Sequence, residues 1–161
     1  MKTPMTALAF LLAVTGSAAA AGSHAGGHGE ADMMQIGKPG DASKSWRIVT
    51  VAMMEDDDGG MLFKPASLKV KEGETLRLKF VNTGELEHEF VMDVHDGIME
   101  HKAMMERFPE MEHDDPNAIR LAPGASGEIV WTFANAGEFD FACLIPGHYD
   151  SGMKGDIVVS H

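Results

Sequence analysis

The stretch "FDFACLIPGHYDSGM", residues 139–153, decides how this chain is read. Its first part alternates, with Phe139, Phe141 and Cys143 on one face and Asp140 and Ala142 on the other. That is the period of a half-buried strand. "LIPG" then breaks the strand, because proline fixes φ and glycine tolerates a turn. His148 lies five positions beyond Cys143, and Met153 five beyond His148. Cys143 is the only cysteine in the chain.

Upstream, the pattern repeats the same architecture. "WRIVTVAMM", residues 46–54, has strand composition and is ended by the acidic turn "EDDDGG". "FKPASLKVKEGE" gives a second extended segment. In "TLRLKFVN", Leu76, Leu78 and Phe80 alternate with Arg77 and Lys79. In "LEHEFVMDV", His88, Phe90, Met92 and Val94 share one face, and Glu87, Glu89 and Asp93 the other. His88 therefore falls on the apolar face of a strand. "AIRLAPGASGEIVWTF" gives two extended runs around a Pro-Gly turn, and "GDIVVS" closes the chain. About seven or eight short strands separated by turns predict an all-β sandwich. Order is expected from Trp46 onward, as one domain over residues 45–161 without internal repeats.

Residues 95–115 interrupt this pattern. The segment is rich in Met and Glu and reads as a partly helical insertion between strands. Ile98, Ala103 and Met104 would line one face, and Pro109 would close the helix.

The first residues predict export. A basic start at Lys2, the apolar run "ALAFLLAV" and the small-residue region "TGSAAAAG" have the layout of a signal peptide over residues 1–21. Cleavage would follow Ala20 or Ala21. The apolar run is far shorter than the roughly 20 residues a membrane span requires. Residues 22–44 lack a hydrophobic period and read as a flexible arm carrying His24, His28, Met33 and Met34. The expected location is a periplasm, with no membrane span in the mature form. The formal net charge of −12 argues against nucleic acid as a partner.

Exported proteins use cysteines in disulfide pairs, so a lone thiol asks for an explanation. Taken singly, His88 and Met153 would more often be core residues. Taken together, Cys143, His88, His148 and Met153 form the ligand set of a type 1 copper site. Thiolate and thioether favour soft Cu(I), and imidazole serves both copper states. Zinc fits less well, because a thioether is a poor zinc ligand.

The chain resembles the cupredoxin, or blue copper, family. The resemblance rests on "EHEF" around His88, on "FDFACLIPGHYDSGM" and on "KGDIVVS", and it covers residues 46–161. The loop spacing is similar to that of rusticyanin-type proteins. The resemblance implies a Greek-key β-sandwich and ligand roles for His88, Cys143, His148 and Met153. Many family members carry Asn or Ser after the first His; here the residue is Glu89, which either approaches the metal or faces solvent. Multicopper oxidases carry His on both sides of the thiolate, whereas Ala142 and Leu144 flank Cys143. An enzyme such as a nitrite reductase would need a second copper site and a second domain, so no catalytic activity is expected.

Methionine is abundant, at 13 residues. Met33, Met34, Met53, Met54, Met61, Met99, Met104, Met105 and Met111 lie in or near the arm, turns and insertion, with His24, His28, His95, His101 and His113. Two explanations stay open here, additional Cu(I) binding and flexible packing. Two functions stay open as well. One is copper tolerance, as in exported cupredoxins with Met/His-rich additions. The other is electron carriage between redox partner proteins.

Overall fold

A computed structural model describes residues 33–45, 47–111 and 114–161. The expected signal peptide, His24, His28, Trp46 and His113 lie outside these residues.

Among the described residues, ten strands and one α-helix follow in chain order. They are β1 (Lys38–Pro39), β2 (Arg47–Glu55), β3 (Met61–Lys64), β4 (Ser67–Lys71), β5 (Thr75–Asn82), β6 (His88–Asp93), α1 (His95–Arg107), β7 (Ala118–Leu121), β8 (Ser126–Thr132), β9 (Gly137–Ala142) and β10 (Lys154–Ser160). They form two five-stranded sheets, ordered β1-β8-β5-β2-β3 and β4-β10-β9-β6-β7. β2 runs parallel to β5 and β10 parallel to β4, while the other pairs are antiparallel. The expected all-β sandwich is what forms. The extended segment at residues 63–74 divides at Pro65 into β3 and β4, which belong to different sheets.

The core lies between the sheets. Leu76, Leu78 and Phe80 of β5 point into it, as their alternation requires. Phe90 sits at its centre. Its ring stacks on Phe141 at 5.1 Å, meets Phe63 edge-on at 5.7 Å and lies 4.6 Å from Phe80. Offset and edge contacts of this kind add to the area that aromatic rings bury.

The fold begins earlier than the sequence pattern suggests. Ile36 is fully buried in the core, and Lys38–Pro39 pairs with Trp131 and Thr132. Trp131 Nε1–H donates to the Ile36 carbonyl at 3.4 Å, and Asn135 donates to that of Gln35. The expectation of a flexible arm through residue 44 is therefore corrected over residues 34–44. One fully buried residue in so short a segment leaves no period to read, yet it fills a whole core position. Ile36→Ala should destabilise the protein by about 2–5 kcal/mol, the usual range for a buried aliphatic truncation. Urea denaturation would measure it. A midpoint equal to that of the parent would mean that Ile36 contributes nothing.

α1 packs on the outer face of the second sheet. Ile98 and Met105, two turns apart, are its buried residues. They close a second apolar cluster with Val91, Ala142 and Leu144, against which Tyr149 packs. The expected face is thus corrected, since Ala103 and Met104 are exposed and Met105 is inside. The helix ends at Arg107 with Phe108 as its cap, immediately before Pro109, because proline disfavours helical geometry in the residue preceding it. Asp96 in the first turn and Arg107 in the last complement the helix dipole. α1 covers Val91, and the segment after it lines the cavity around Glu89, so both are buried along with His88, Phe90 and Met92.

Candidate metal centre

Cys143 follows the last residue of β9, and Met153 immediately precedes β10. The connection folds back on itself. Cys143 N–H donates to the Met153 carbonyl at 3.0 Å, and Met153 N–H donates to the His148 carbonyl at 3.1 Å. His148 N–H closes the tight turn on the Ile145 carbonyl. Gly147 and Gly152 hold φ at 89° and 103°, a region that side chains with a Cβ rarely enter. These local bonds bring Cys143, His148 and Met153 together on one loop.

His88 arrives from the first residue of β6, directly across from Leu121 of β7. Its side chain is fully buried. His88 Nδ1 and Cys143 Sγ each lie 3.3 Å from His148 Nδ1. Among the described residues, His88, Cys143 and His148 are the cluster of three or more His, Cys, Asp or Glu donors, their ligand atoms within 4.8 Å of one another. Cys143 and Met153 are both fully buried in the main core.

The donor set fits a metal ion. Bond lengths of about 2.0–2.3 Å to nitrogen and sulfur place three ligand atoms around one ion roughly 3.5–4 Å apart. The observed spacing is close to that without any rearrangement of strands.

Glu89 neither approaches the metal donors nor faces solvent with its side chain. Its backbone N–H donates to Cys143 Sγ at 3.3 Å. Its side chain points the other way, into a cavity of about 470 Å³ lined by Met111, Asp114, Asp115, Ile119 and Arg120.

Burial pushes the Cys143 thiol up to about 12, partly offset by the backbone N–H groups of Glu89 and Ile145. A metal must therefore displace a firmly held proton. In metal-free protein the thiol should resist iodoacetamide at pH 8 and react quickly once the chain is unfolded. Equal rates in the two states would contradict this.

His148 is half-buried, and its pKa is lowered by desolvation, with the neighbouring His88 acting in the same direction. A lowered folded pKa means that the unfolded chain binds more protons. The stability of the metal-free protein is then full above the ordinary histidine pKa of about 6.5 and is lost as pH falls below it. His148→Asn should flatten the stability slope between pH 7.5 and 5.5 in denaturation experiments. An unchanged slope would assign the proton uptake elsewhere.

Glu55 is the residue that the sequence pattern did not single out. It ends β2, in the opposite sheet, and reads only as the start of an acidic turn. Its Oε1 lies 2.8 Å from His88 Nε2. Burial opposes its charge, but the N–H groups of Glu85 and Leu86 and the His88 ring outweigh that and hold the carboxyl below its usual range.

The methionines divide by position. Met53 and Met105 are core residues, whereas Met33, Met99 and Met104 are exposed. His95 is engaged by Asp140 at 2.7 Å.

A two-sheet sandwich with a buried His-Cys-His cluster at one end defines a cupredoxin. The chain belongs to the plastocyanin/azurin family of copper-binding proteins, whose family model matches residues 49–160. Copper is therefore its metal. Among curated relatives, a copper-resistant cuproprotein CopI from Rubrivivax gelatinosus is 44% identical, over 99% of this chain and 96% of that one. A copper-resistant cuproprotein CopI from Pseudomonas aeruginosa is 35% identical, over 82% and 84%. Among solved structures, auracyanin B matches with a TM-score of 0.63 at 24% identity, covering 77% of this chain and 96% of its own, which shows the shared fold.

Proposed function

We propose that this chain is an exported type 1 copper protein that acts in copper tolerance, with His88, Cys143, His148 and Met153 as its ligands. The observation that carries the reading is the convergence of Cys143 Sγ and the Nδ1 atoms of His88 and His148 at 3.3 Å spacings. The tolerance role rests on the relatives named copper-resistant cuproproteins. Export, with removal of residues 1–21, rests on the layout of the first residues.

Bound copper would supply one-electron chemistry. The protein's share is to hold the donors still. Backbone bonds fix the loop at both ends, and β6 fixes His88 from within the core. The Glu89 N–H, which donates to Cys143 Sγ at 3.3 Å, would steady the thiolate that holds the metal. Half-buried His148 is the ligand through which electrons would reach the surface.

The reading is of a copper-binding protein and not of a coupled multicopper oxidase. The positions flanking Cys143 carry Ala142 and Leu144, and α1 seals that side with Ile98 and Met105. No imidazole stands there to lead electrons to a second copper centre.

The test is titration of the mature protein with Cu(II). Intense blue or green absorption saturating at one equivalent is expected, and its absence in folded, reduced protein would end the reading. A strain lacking the protein should grow poorly in raised copper. Normal copper tolerance combined with impaired respiratory electron flow would favour the alternative, a carrier between redox partners. The N-terminus of the mature protein, read by sequencing, tests the processing site.

A further inference from the structure

We infer that Glu55 is a positioning residue for His88, fixing the ring proton on Nε2 so that Nδ1 faces Cys143 and His148, and that its carboxylate biases the site toward Cu(II). The inference rests on the type 1 reading.

The geometry is specific. A carboxylate only accepts hydrogen bonds, so the 2.8 Å contact makes His88 Nε2 the donor. In the neutral ring the other nitrogen then carries no proton, which is the form a metal requires. Glu55 is itself held before any metal arrives. Oε2 accepts from Glu85 N–H at 2.9 Å, and Oε1 accepts from Leu86 N–H at 3.0 Å. The loop passes so close that a Cβ on Gly84 would meet Glu55 Oε2. The contact also spans the sandwich, since Glu55 belongs to one sheet and His88 to the other. His88 is fully buried, so this proton has little access to water.

The chemical consequence follows from charge. A carboxylate on the imidazole N–H makes the ring a stronger donor. The more highly charged metal state gains more from that than the singly charged one. Glu55 should therefore raise Cu(II) affinity more than Cu(I) affinity and lower the reduction potential.

The experiment uses the mature protein and its Glu55→Gln and Glu55→Ala variants. Nitrogen-15 NMR of the wild type, metal-free and loaded with Cu(I), should find the His88 proton on Nε2. Chelator competition should find Cu(II) affinity reduced roughly 10–100-fold in Glu55→Ala, with a smaller loss for Cu(I). Glu55→Gln offers an acceptor without charge, so it should keep the tautomer and lose part of the Cu(II) preference. A proton on Nδ1 of His88 overturns the inference. So does an unchanged ratio of Cu(II) to Cu(I) affinity in Glu55→Gln, which would reduce Glu55 to a loop fastener. Should Glu55→Ala not fold, the wild-type tautomer and Glu55→Gln still decide. A wild type lacking the thiolate colour would instead defeat the copper-site reading, leaving the tautomer measurement valid.

Discussion

Cys143→Ser should fold and lose all intense visible absorption on addition of Cu(II). The strong band of a type 1 site needs a thiolate to donate charge to the metal, and a serine hydroxyl cannot replace it. Copper affinity should also fall by more than the ~10–100-fold that partners outside the ligand set carry, because a soft donor is removed outright. The substitution is nearly isosteric. The two backbone N–H groups that meet the sulfur, from Glu89 and Ile145, can donate to the hydroxyl as well. Circular dichroism should therefore match that of the parent. A retained blue or green band would show that Cys143 is not the ligand. An unfolded variant would indicate that the thiol serves packing.

Phe90→Ala should be among the most destabilising substitutions in the chain, costing about 3–5 kcal/mol. The ring is fully buried and touches Phe63, Phe80 and Phe141, so its loss opens a cavity that three large neighbours cannot fill together. Those neighbours come from β3, β5 and β9, which belong to both sheets. Phe90 is also two residues from His88 on the same face of β6. Chemical denaturation of the metal-free protein would measure the loss. A second readout is the width of the visible band, since a loosened β6 would let His88 adopt several positions. A loss below ~1 kcal/mol would mean that the core closes around the gap.

The sandwich was legible in the sequence because strand alternation is local. Leu76, Leu78 and Phe80, or Phe139 and Phe141, can be sorted into faces with no knowledge of their neighbours. The loop ligands were legible for the same reason. Cys143, His148 and Met153 sit at fixed spacing around a turn that Pro146 and Gly147 impose, so the short chain itself holds them near one another. His88 was legible as a polar residue on an apolar face.

Other features depended on distant parts of the chain. Ile36 has no periodic partners, and it becomes a core residue only because its segment is held against β8, by the pairing of Lys38–Pro39 and by the Trp131 hydrogen bond to its carbonyl. The sequence does not reveal the inward face of α1, because Met104 and Met105 are chemically identical and the sheet beneath chooses between them. Glu89 was expected to face either metal or solvent. The helix and the segment after it cover that face of β6 and remove the choice. Glu55 lies in an ordinary acidic turn, and its contact with His88 exists only because the two sheets meet there. The strand pattern, the turn and the chemistry of the donors can be read from the chain alone, because each arises within a few residues. The tertiary structure decided which surfaces are covered and which carboxylate meets the imidazole, because burial and long-range hydrogen bonds belong to pairs of segments and not to either one alone.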